Sequence, residues 1–209
     1  MNPKTHKFSL AAVLSAFMLS GQIITPGSAG IAESPQQLVN DFHQALHETM
    51  KDAKKLGFTG RFKKLAGPIE ATFHLRLMIQ IASGSFWRKA DKTQQQRLTK
   101  AFSKLSISTY ALRFSGFSGQ SFETLGEKAG PQKTTLVATH ILNPAGQNTN
   151  LIYVTKLVKK QWQIVDVLLG PGISELAVRR SEYRRILKNS GIDGLISILN
   201  SKSAAMAAD

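Results

Sequence analysis

The sequence of 209 residues contains no cysteine. This absence excludes disulfide bridges and thiolate ligands for a metal ion. It also excludes the acylated cysteine through which a lipoprotein is anchored to a membrane. A chain of this length can form one domain with a sizeable core, and such a core can enclose a ligand cavity.

Long apolar runs are scarce, and none has the roughly 20 residues that a membrane-spanning helix needs. The run at residues 8–19, FSLAAVLSAFML, follows the basic residues Lys4 and Lys7 and precedes a stretch of small residues. This order is typical of a secretory signal peptide, with cleavage after Ala32 or Ala29. The sequence therefore predicts a signal peptide at residues 1–32, one domain at residues 33–202 and a flexible tail at residues 203–209.

Acidic residues are few, with 13 aspartates and glutamates against 27 lysines and arginines. The formal net charge is +14, and loss of Lys4 and Lys7 with the signal peptide would lower it by two. A strongly basic exported protein is expected to meet anionic partners, such as lipid headgroups, membrane surfaces or acidic protein faces. Nucleic acid is not an expected partner outside the cytoplasm.

Two strands joined by a tight turn are predicted at residues 151–172, LIYVTKLVKKQWQIVDVLLGPG. Apolar, β-branched and aromatic residues alternate in the first run, and the second run is apolar on both faces. Lys159, Lys160 and Gln161 form the turn, and the glycines and proline at 170–172 end the second strand. Two further strands are predicted at residues 121–128 and 134–142, and a loop at residues 143–146 leads from them to the pair.

Helical periodicity precedes and follows the strands. A capping box of Ser34 and Gln37 starts the first helix. The glycine and proline at 67–68 are expected to break the chain, and the apolar run behind them predicts one continuous buried helix. The predicted helices after the first are a short one at residues 61–65 and four more at residues 69–82, 92–114, 174–189 and 193–200, with Gly191 separating the last two. Helices, an antiparallel meander and helices again are the pattern of an α+β fold.

Five segments resemble one protein family. The run at residues 84–117, GSFWRKADKTQQQRLTKAFSKLSISTYALRFSGF, resembles the signature of the MlaC-type periplasmic lipid-binding proteins, the toluene-tolerance family. The later segments VATHIL, LIYVTKL and WQIVDVLLGPGIS resemble the strands of that family and follow in the same order. The segment GISELAVRRSEYRRILKNSGIDGLISIL resembles the hopanoid-associated branch, HpnM. Together these segments cover nearly all of the chain after the predicted signal peptide.

The resemblance implies a small twisted mixed or antiparallel sheet, of NTF2-like or cystatin-like character, wrapped by several helices around an apolar cavity. It implies a periplasmic carrier, not an enzyme, that holds the acyl chains of a phospholipid or a hopanoid and moves the lipid between the outer and inner membranes. The implied partners are an outer-membrane lipoprotein complex and an inner-membrane ABC transporter with an MCE-domain subunit. A monomer is expected, with bound lipid as the ligand and no metal or redox cofactor.

Apolar residues on the predicted helices and strands are candidates for the lipid-binding lining. They are Leu75, Met78, Ile81, Phe102, Leu105, Tyr110, Val137, Ile141, Tyr153, Val165, Val167 and Leu169. Residues at such spacing also form ordinary cores. The family resemblance is what favours a cavity over a closed core.

Arg179, Arg180, Arg184 and Arg185 cluster on one predicted helix. Such a cluster forms either a solvated face or a docking site for a lipid phosphate or an acidic partner. The same two interpretations apply to a second basic group, which consists of Lys51, Lys54, Lys55, Arg61, Lys63 and Lys64.

Two features keep other functions open. Asp166 lies inside an apolar strand, where it either is a structural anchor bound by an amide or a basic side chain, or acts as a general base with Tyr153 or His140 in an NTF2-like enzyme. His43 and His47 lie one helical turn apart and could share a metal ion, although no third ligand is evident. A peripheral membrane-binding protein that uses its basic faces alone is a third possibility.

Overall fold

The computed structural model describes residues 34–144 and 146–208, so the predicted signal peptide lies outside the described residues. The described chain has six α-helices, a short 3-10 helix and five strands. In chain order these are α1 (Pro35–Lys51), α2 (Ala53–Thr72), α3 (Leu75–Ser83), α4 (Ser85–Lys89), α5 (Lys92–Arg113), β1 (Ser121–Ala129), the 3-10 helix Pro131–Lys133, β2 (Thr135–Leu142), β3 (Thr149–Val158), β4 (Gln161–Leu169), β5 (Ile173–Ser174) and α6 (Glu175–Ala205). In this part of the chain, no helix combines the length and the apolar character that crossing a membrane requires.

The strands form one antiparallel sheet in which each strand pairs with the next, in the order β1 to β5. Helices lie before and after this meander in the sequence, so the predicted α+β class is confirmed. The predicted β3–β4 turn is one residue shorter than expected, because Val158 pairs with Gln161 and leaves only Lys159 and Lys160 as the loop. Both lysines have positive φ angles, of 48° and 68°, as the favoured two-residue hairpin turns require.

The start of α1 follows the sequence prediction in part. The Ser34 hydroxyl accepts a hydrogen bond from the amide of Gln37 at 3.1 Å, as an N-cap does. The Gln37 side chain does not return to close the capping box, because it donates to Asp41 at 2.7 Å. Leu38 and Phe42 face the core from this helix.

The predicted helix at residues 69–82 is wrong as a single element. Helix α2 continues through Pro68 to Thr72, and the chain then breaks before α3. At the break, the His74 amide donates to the carbonyl of Ile164 in β4 at 2.9 Å. Periodicity could not show this break, because a bond to a distant strand stabilises it.

Helix α6 spans both predicted C-terminal helices, and Gly191 lies between them with a left-handed φ of 61° and a kink in the helix axis. The helix continues to Ala205, past the predicted domain boundary at residue 202. Ser203 is only 1% exposed, and its hydroxyl forms a hydrogen bond of 2.7 Å with that of Ser108 in α5. The start of the predicted tail is therefore packed against the core.

Candidate functional site

A cavity of about 390 Å³ lies between the sheet and the helices. Its volume falls within the range of roughly 300–1,000 Å³ that is usual for small-molecule sites. The apolar part of its lining consists of Ile69, Phe73, Leu75, Met78, Phe102, Phe114, Ile141, Leu151, Val167, Leu169 and Leu176. The polar part consists of Ser106, Thr109, Tyr110, Arg113, Thr149, Tyr153, Glu175 and Arg179.

The sheet side of the cavity is built from cross-strand pairs. Tyr153 pairs with Val167, and Leu151 pairs with Leu169. Since side chains two residues apart on a strand point to the same face, these pairs form a continuous apolar surface toward the helices. Ile141 of β2 extends this surface by its pairing with Thr149.

Eight of the twelve predicted lipid-contact residues line this cavity. They are Leu75, Met78, Phe102, Tyr110, Ile141, Tyr153, Val167 and Leu169. The structure thus brings residues from α3, α5 and three strands together around one space. Their contact with lipid stays a prediction.

The other four predicted residues do not line the cavity. Leu105 and Val137 are buried in the core, with exposed fractions of 3% and 0%. Ile81 lies on the outer side of α3 and is 39% exposed. Val165 is buried but is the extra residue of a β-bulge, since Val154 pairs with Asp166 and Thr155 pairs with Ile164.

Aromatic rings close one part of the cavity. Phe42 packs edge-on against Phe73, with ring centroids 5.2 Å apart, and against Tyr110 at 5.4 Å. It also contacts the ring of Tyr153, which is 2% exposed. Edge-to-face packing at these distances stabilises aromatic clusters beyond the area that they bury.

A buried hydrogen bond lies next to this aromatic cluster. The Nε2 atom of His43 lies 3.0 Å from the hydroxyl of Tyr153, and the His43 ring stacks on Phe122 with centroids 4.4 Å apart. Burial lowers the pKa of His43 to about 4 and raises the pKa of Tyr153, so both groups are neutral near pH 7. The hypothesis that His43 and His47 share a metal ion is not supported. The Nε2 atom of His43 is hydrogen-bonded to the Tyr153 hydroxyl, and the His47 ring packs against Phe117. In the described chain, no group of three or more potential ligands surrounds a metal-sized site.

The lining includes charged residues from the C-terminal end of α5 and from the start of α6. The Arg179 guanidinium carbon lies 5.7 Å from the centre of the Phe102 ring, and one of its nitrogens donates to the Tyr183 hydroxyl at 3.4 Å. Arg113 is exposed and Glu175 is half-buried. Burial raises the pKa of the Tyr110 phenol well above its usual range, and the nearby Arg113 and Arg179 oppose this effect.

The predicted docking arginines separate into two groups. Arg179 lines the cavity, whereas Arg180, Arg184 and Arg185 are exposed and lie outside it. Their docking role stays a prediction. The prediction that Arg61 belongs to the second basic group on the surface is wrong. Arg61 is only 8% exposed, and its guanidinium group donates to the carbonyls of Ala111 at 2.7 Å and Ala53 at 3.0 Å.

Asp166 acts as a structural anchor. Its carboxylate accepts hydrogen bonds from the amides of Val167 and Leu176, at 2.8 and 3.0 Å, and from the Ser174 hydroxyl at 2.5 Å. These bonds connect β4 to the start of α6. Since Asp166 and Val167 are consecutive on a strand, the carboxylate points away from the face that lines the cavity.

Sequence reasoning missed several lining residues, among them Ser106, Arg113 and Thr149. Serine and arginine in a helix usually face solvent, so neither residue type predicts a cavity on its own. A signal was present in their spacing. Phe102, Ser106, Tyr110 and Arg113 follow one another at intervals of four, four and three residues, which places them on one face of α5.

The fold and the cavity define a class: an α+β protein in which one antiparallel sheet and its helices enclose an apolar space of ligand size. The chain matches the family model described as MlaC protein over residues 37–201, and it therefore belongs to the MlaC family. The predicted family resemblance is confirmed.

A solved structure supports the same fold. The phospholipid-binding protein from Ralstonia solanacearum, determined in complex with a phospholipid, superposes with a TM-score of 0.72 at 22% sequence identity. The match covers 82% of this chain and 98% of that chain. At this level of identity the likeness establishes the fold.

Proposed function

We propose that this protein is a lipid carrier that holds the acyl chains of a phospholipid in the cavity. The observation that carries the proposal is the mainly apolar lining of a space of about 390 Å³ between the sheet and the helices. Each methylene group that leaves water for such a space gains roughly 0.8 kcal/mol. Membership of the MlaC family and the phospholipid in the Ralstonia solanacearum structure support the same ligand class.

The charges at the cavity suit a carrier that must also release its ligand. Arg113 is exposed, and Arg179 is half-buried, so both can meet a polar headgroup without leaving water completely. A ligand held by its acyl chains alone would leave its headgroup in solvent beside these groups. The cavity therefore fits an amphipathic ligand better than a fully apolar one.

The site of action and the partners extend this proposal. The signal-peptide pattern at residues 1–32 supports export to the periplasm. A soluble carrier there would collect lipid at an outer-membrane lipoprotein complex and deliver it to an inner-membrane ABC transporter with an MCE-domain subunit, or carry it in the opposite direction. The exposed Arg180, Arg184 and Arg185 are suitable docking groups for acidic faces of such partners.

The HpnM branch and a hopanoid ligand form a finer version of the proposal. The C-terminal segment that resembles this branch contributes Glu175, Leu176 and Arg179 to the lining. A ligand specific to this branch would thus contact residues of the segment that resembles the branch. Identification of the bound lipid would show whether the ligand is a phospholipid or a hopanoid.

The first experiment is native mass spectrometry of the protein purified from periplasm without detergent, followed by lipid extraction. Retention of phospholipid is the expected result, and a hopanoid in the extract would favour the finer version. A mass without ligand that persists after incubation with phospholipid vesicles would overturn the carrier proposal.

A matched pair of variants links retention to the cavity. Leu169→Arg places a charge in the lining and should abolish lipid retention, because a charged group is costly in an apolar space. Leu157→Arg introduces the same charge at a strand position that is 52% exposed, and retention should persist. Thermal unfolding of both variants checks that they are folded. A folded Leu169→Arg protein that still carries lipid would contradict the assignment.

The enzyme hypothesis has little support in the geometry. Asp166 is turned away from the cavity and accepts three hydrogen bonds, whereas Tyr153 bonds to His43. The proposed base therefore does not meet Tyr153, and none of its three hydrogen bonds involves His140, the other proposed partner. Asp166→Asn should retain lipid if the fold is kept, since the carboxylate does not line the cavity.

A further inference from the structure

Hydroxyl and guanidinium groups line one side of the cavity, and most of them form no hydrogen bond within the described residues. We propose that Ser106, Tyr110 and Arg113 of α5, together with Arg179 of α6, form a recognition site for the ester-linked glycerophosphate part of a phospholipid. We call these four residues the polar stripe. The proposal rests on the carrier function above, and it names the chemical class of lipid that the cavity selects.

The first argument concerns the two hydroxyl groups. Ser106 is 9% exposed, yet within residues 34–144 and 146–208 its hydroxyl forms no hydrogen bond, and the same is true of the Tyr110 hydroxyl. Neighbouring hydroxyls on α5 behave differently, because Thr99 and Thr109 donate to the carbonyls one turn earlier, at 2.8 Å each. Two hydroxyls of the cavity face therefore remain available as donors.

These hydroxyls open into the cavity. In the described part of the chain, no side-chain nitrogen or oxygen that is sealed from solvent lacks a hydrogen-bond partner. Ser106 and Tyr110 both line the cavity, so their side chains border the space that a ligand would fill. A ligand acceptor placed there would form hydrogen bonds with these hydroxyls, at a typical gain of roughly 0.5–1.5 kcal/mol for each bond.

The second argument concerns the guanidinium groups. Among the residues that the structure covers, Arg113 has no ion pair or hydrogen bond from its side chain, and Arg179 donates only to Tyr183 at 3.4 Å. Glu175 is the only acid among the described lining residues. Two guanidinium groups and one carboxylate give the lining a net charge of +1. This charge balances the single negative charge of one phosphodiester. One guanidinium group can donate two parallel hydrogen bonds to the oxygens of a phosphate, and such charge-assisted bonds are stronger than neutral ones.

The order of these groups completes the argument. Phe102 is 1% exposed, Ser106 follows one turn later, Tyr110 is half-buried and Arg113 is exposed. Along α5 the lining thus changes from apolar to hydroxyl to cationic. A diacyl phospholipid has the same order, since its ester carbonyls lie between the acyl chains and the phosphate. The register of a bound lipid along α5 follows from this match.

A test of the hydroxyl part compares two lipids that differ only in their linkage. The probes are diester and diether phosphatidylglycerol with equal chain lengths, presented to the delipidated protein and quantified by native mass spectrometry in competition. The diester should bind about 3- to 30-fold more tightly, as one or two added hydrogen bonds predict. In a protein with Ser106→Ala and Tyr110→Phe, this preference should disappear while binding of the diether lipid is unchanged.

A test of the cationic part compares phosphatidylglycerol with diacylglycerol, which has the esters but no phosphate. The wild-type protein should prefer phosphatidylglycerol, and replacing both Arg113 and Arg179 with glutamine should reduce this preference by about 10-fold or more. A matched control removes two exposed charges on α4, with Arg88→Gln and Lys89→Gln, and should keep the preference.

The results separate the two proposals. If the wild-type protein binds diester and diether lipids equally, and the arginine variant keeps its preference, the polar stripe is refuted although the carrier function stands. If no lipid binds to the wild-type protein, the carrier proposal fails and this inference fails with it. A hopanoid without ester or phosphate that outcompetes phosphatidylglycerol would also refute the polar stripe.

Discussion

Serine hydroxyls are hydrogen-bonded where helix α5 packs against other helices, whereas the serine hydroxyl on its cavity side is not. On the sides packed against other helices, the Ser103 hydroxyl donates to Glu70 at 2.8 Å and the Ser108 hydroxyl bonds to Ser203 at 2.7 Å. On the cavity side, the Ser106 hydroxyl has no partner in the described chain. Folding requires that buried polar groups be paired, so an unpaired one beside a cavity indicates where a ligand is expected.

The largest expected effect concerns the packed side of α5. Deletion of residues 203–209 removes the buried Ser203 and the contact of Met206 with the core, which should lower the free energy of unfolding by about 3–5 kcal/mol. Urea denaturation measures this loss. Deletion of residues 207–209 alone is the control and should have no effect. Equal stability of both truncated proteins would show that the end of α6 is not part of the packed domain.

A second prediction concerns Tyr153, the lining hydroxyl that does have a partner. Burial lowers the pKa of His43 to about 4 in the folded protein, whereas an exposed histidine has a pKa of about 6.5. Only the unfolded chain therefore binds this proton between those values. The stabilising contribution is complete above about pH 6.5 and is lost as the pH falls to about 4, by about 3 kcal/mol in total.

Denaturation curves at several pH values test this prediction. A His43→Gln variant has no group that titrates at this position, and its stability should change less between pH 6.5 and 4. His47, which lies one turn later on the same helix and is half-buried, offers the matched control. If His43→Gln and His47→Gln show the same pH dependence, the burial of His43 does not control acid stability.

A third prediction concerns the buried hydrogen bond between Ser108 of α5 and Ser203 of α6. Ser108→Val leaves Ser203 without its buried partner and should lower the free energy of unfolding by about 1–3 kcal/mol. Restoration of stability by the double change with Ser203→Val would identify the lost hydrogen bond as the cause.

The smallest effect is expected on the cavity side. Ser106→Ala removes a hydroxyl that has no partner within the described residues, so the stability of the lipid-free protein should change by less than about 0.5 kcal/mol. The same variant should bind diester lipid more weakly. Destabilisation of the lipid-free protein as large as that of Ser108→Val would mean that the two sides of α5 are alike.

The sequence predicted the architecture because local patterns and turn residues carried it. Alternation predicted the strands, Ser34 capped the first helix, and Gly191 lies at the kink of the last one. The break at His74 was not predictable, because it depends on a hydrogen bond to Ile164, about ninety positions later. Local periodicity contains no information about a partner so far along the chain.

The candidate site was predictable to the extent that its residues are apolar and regularly spaced. Leu75 and Met78 line the cavity, but the equally apolar Leu105 and Val137 belong to the core. One sequence shows that a residue is buried, not whether it faces an empty space or another side chain. Ser106, Arg113 and Thr149 were missed for the opposite reason, since such residues give no hydrophobic signal at all.

The β-bulge in β4 has a consequence for the comparison of related sequences. Ile164 and Val167 are three positions apart, which would place them on opposite faces of a regular strand. Because Val165 is the extra residue, Ile164 pairs with Thr155 and Val167 with Tyr153, and both face the helices. A relative that lacks the bulge should therefore show a single-residue gap at Val165 in an alignment. Its counterparts of Ile164 and Val167 would then be two positions apart and would keep the same neighbours.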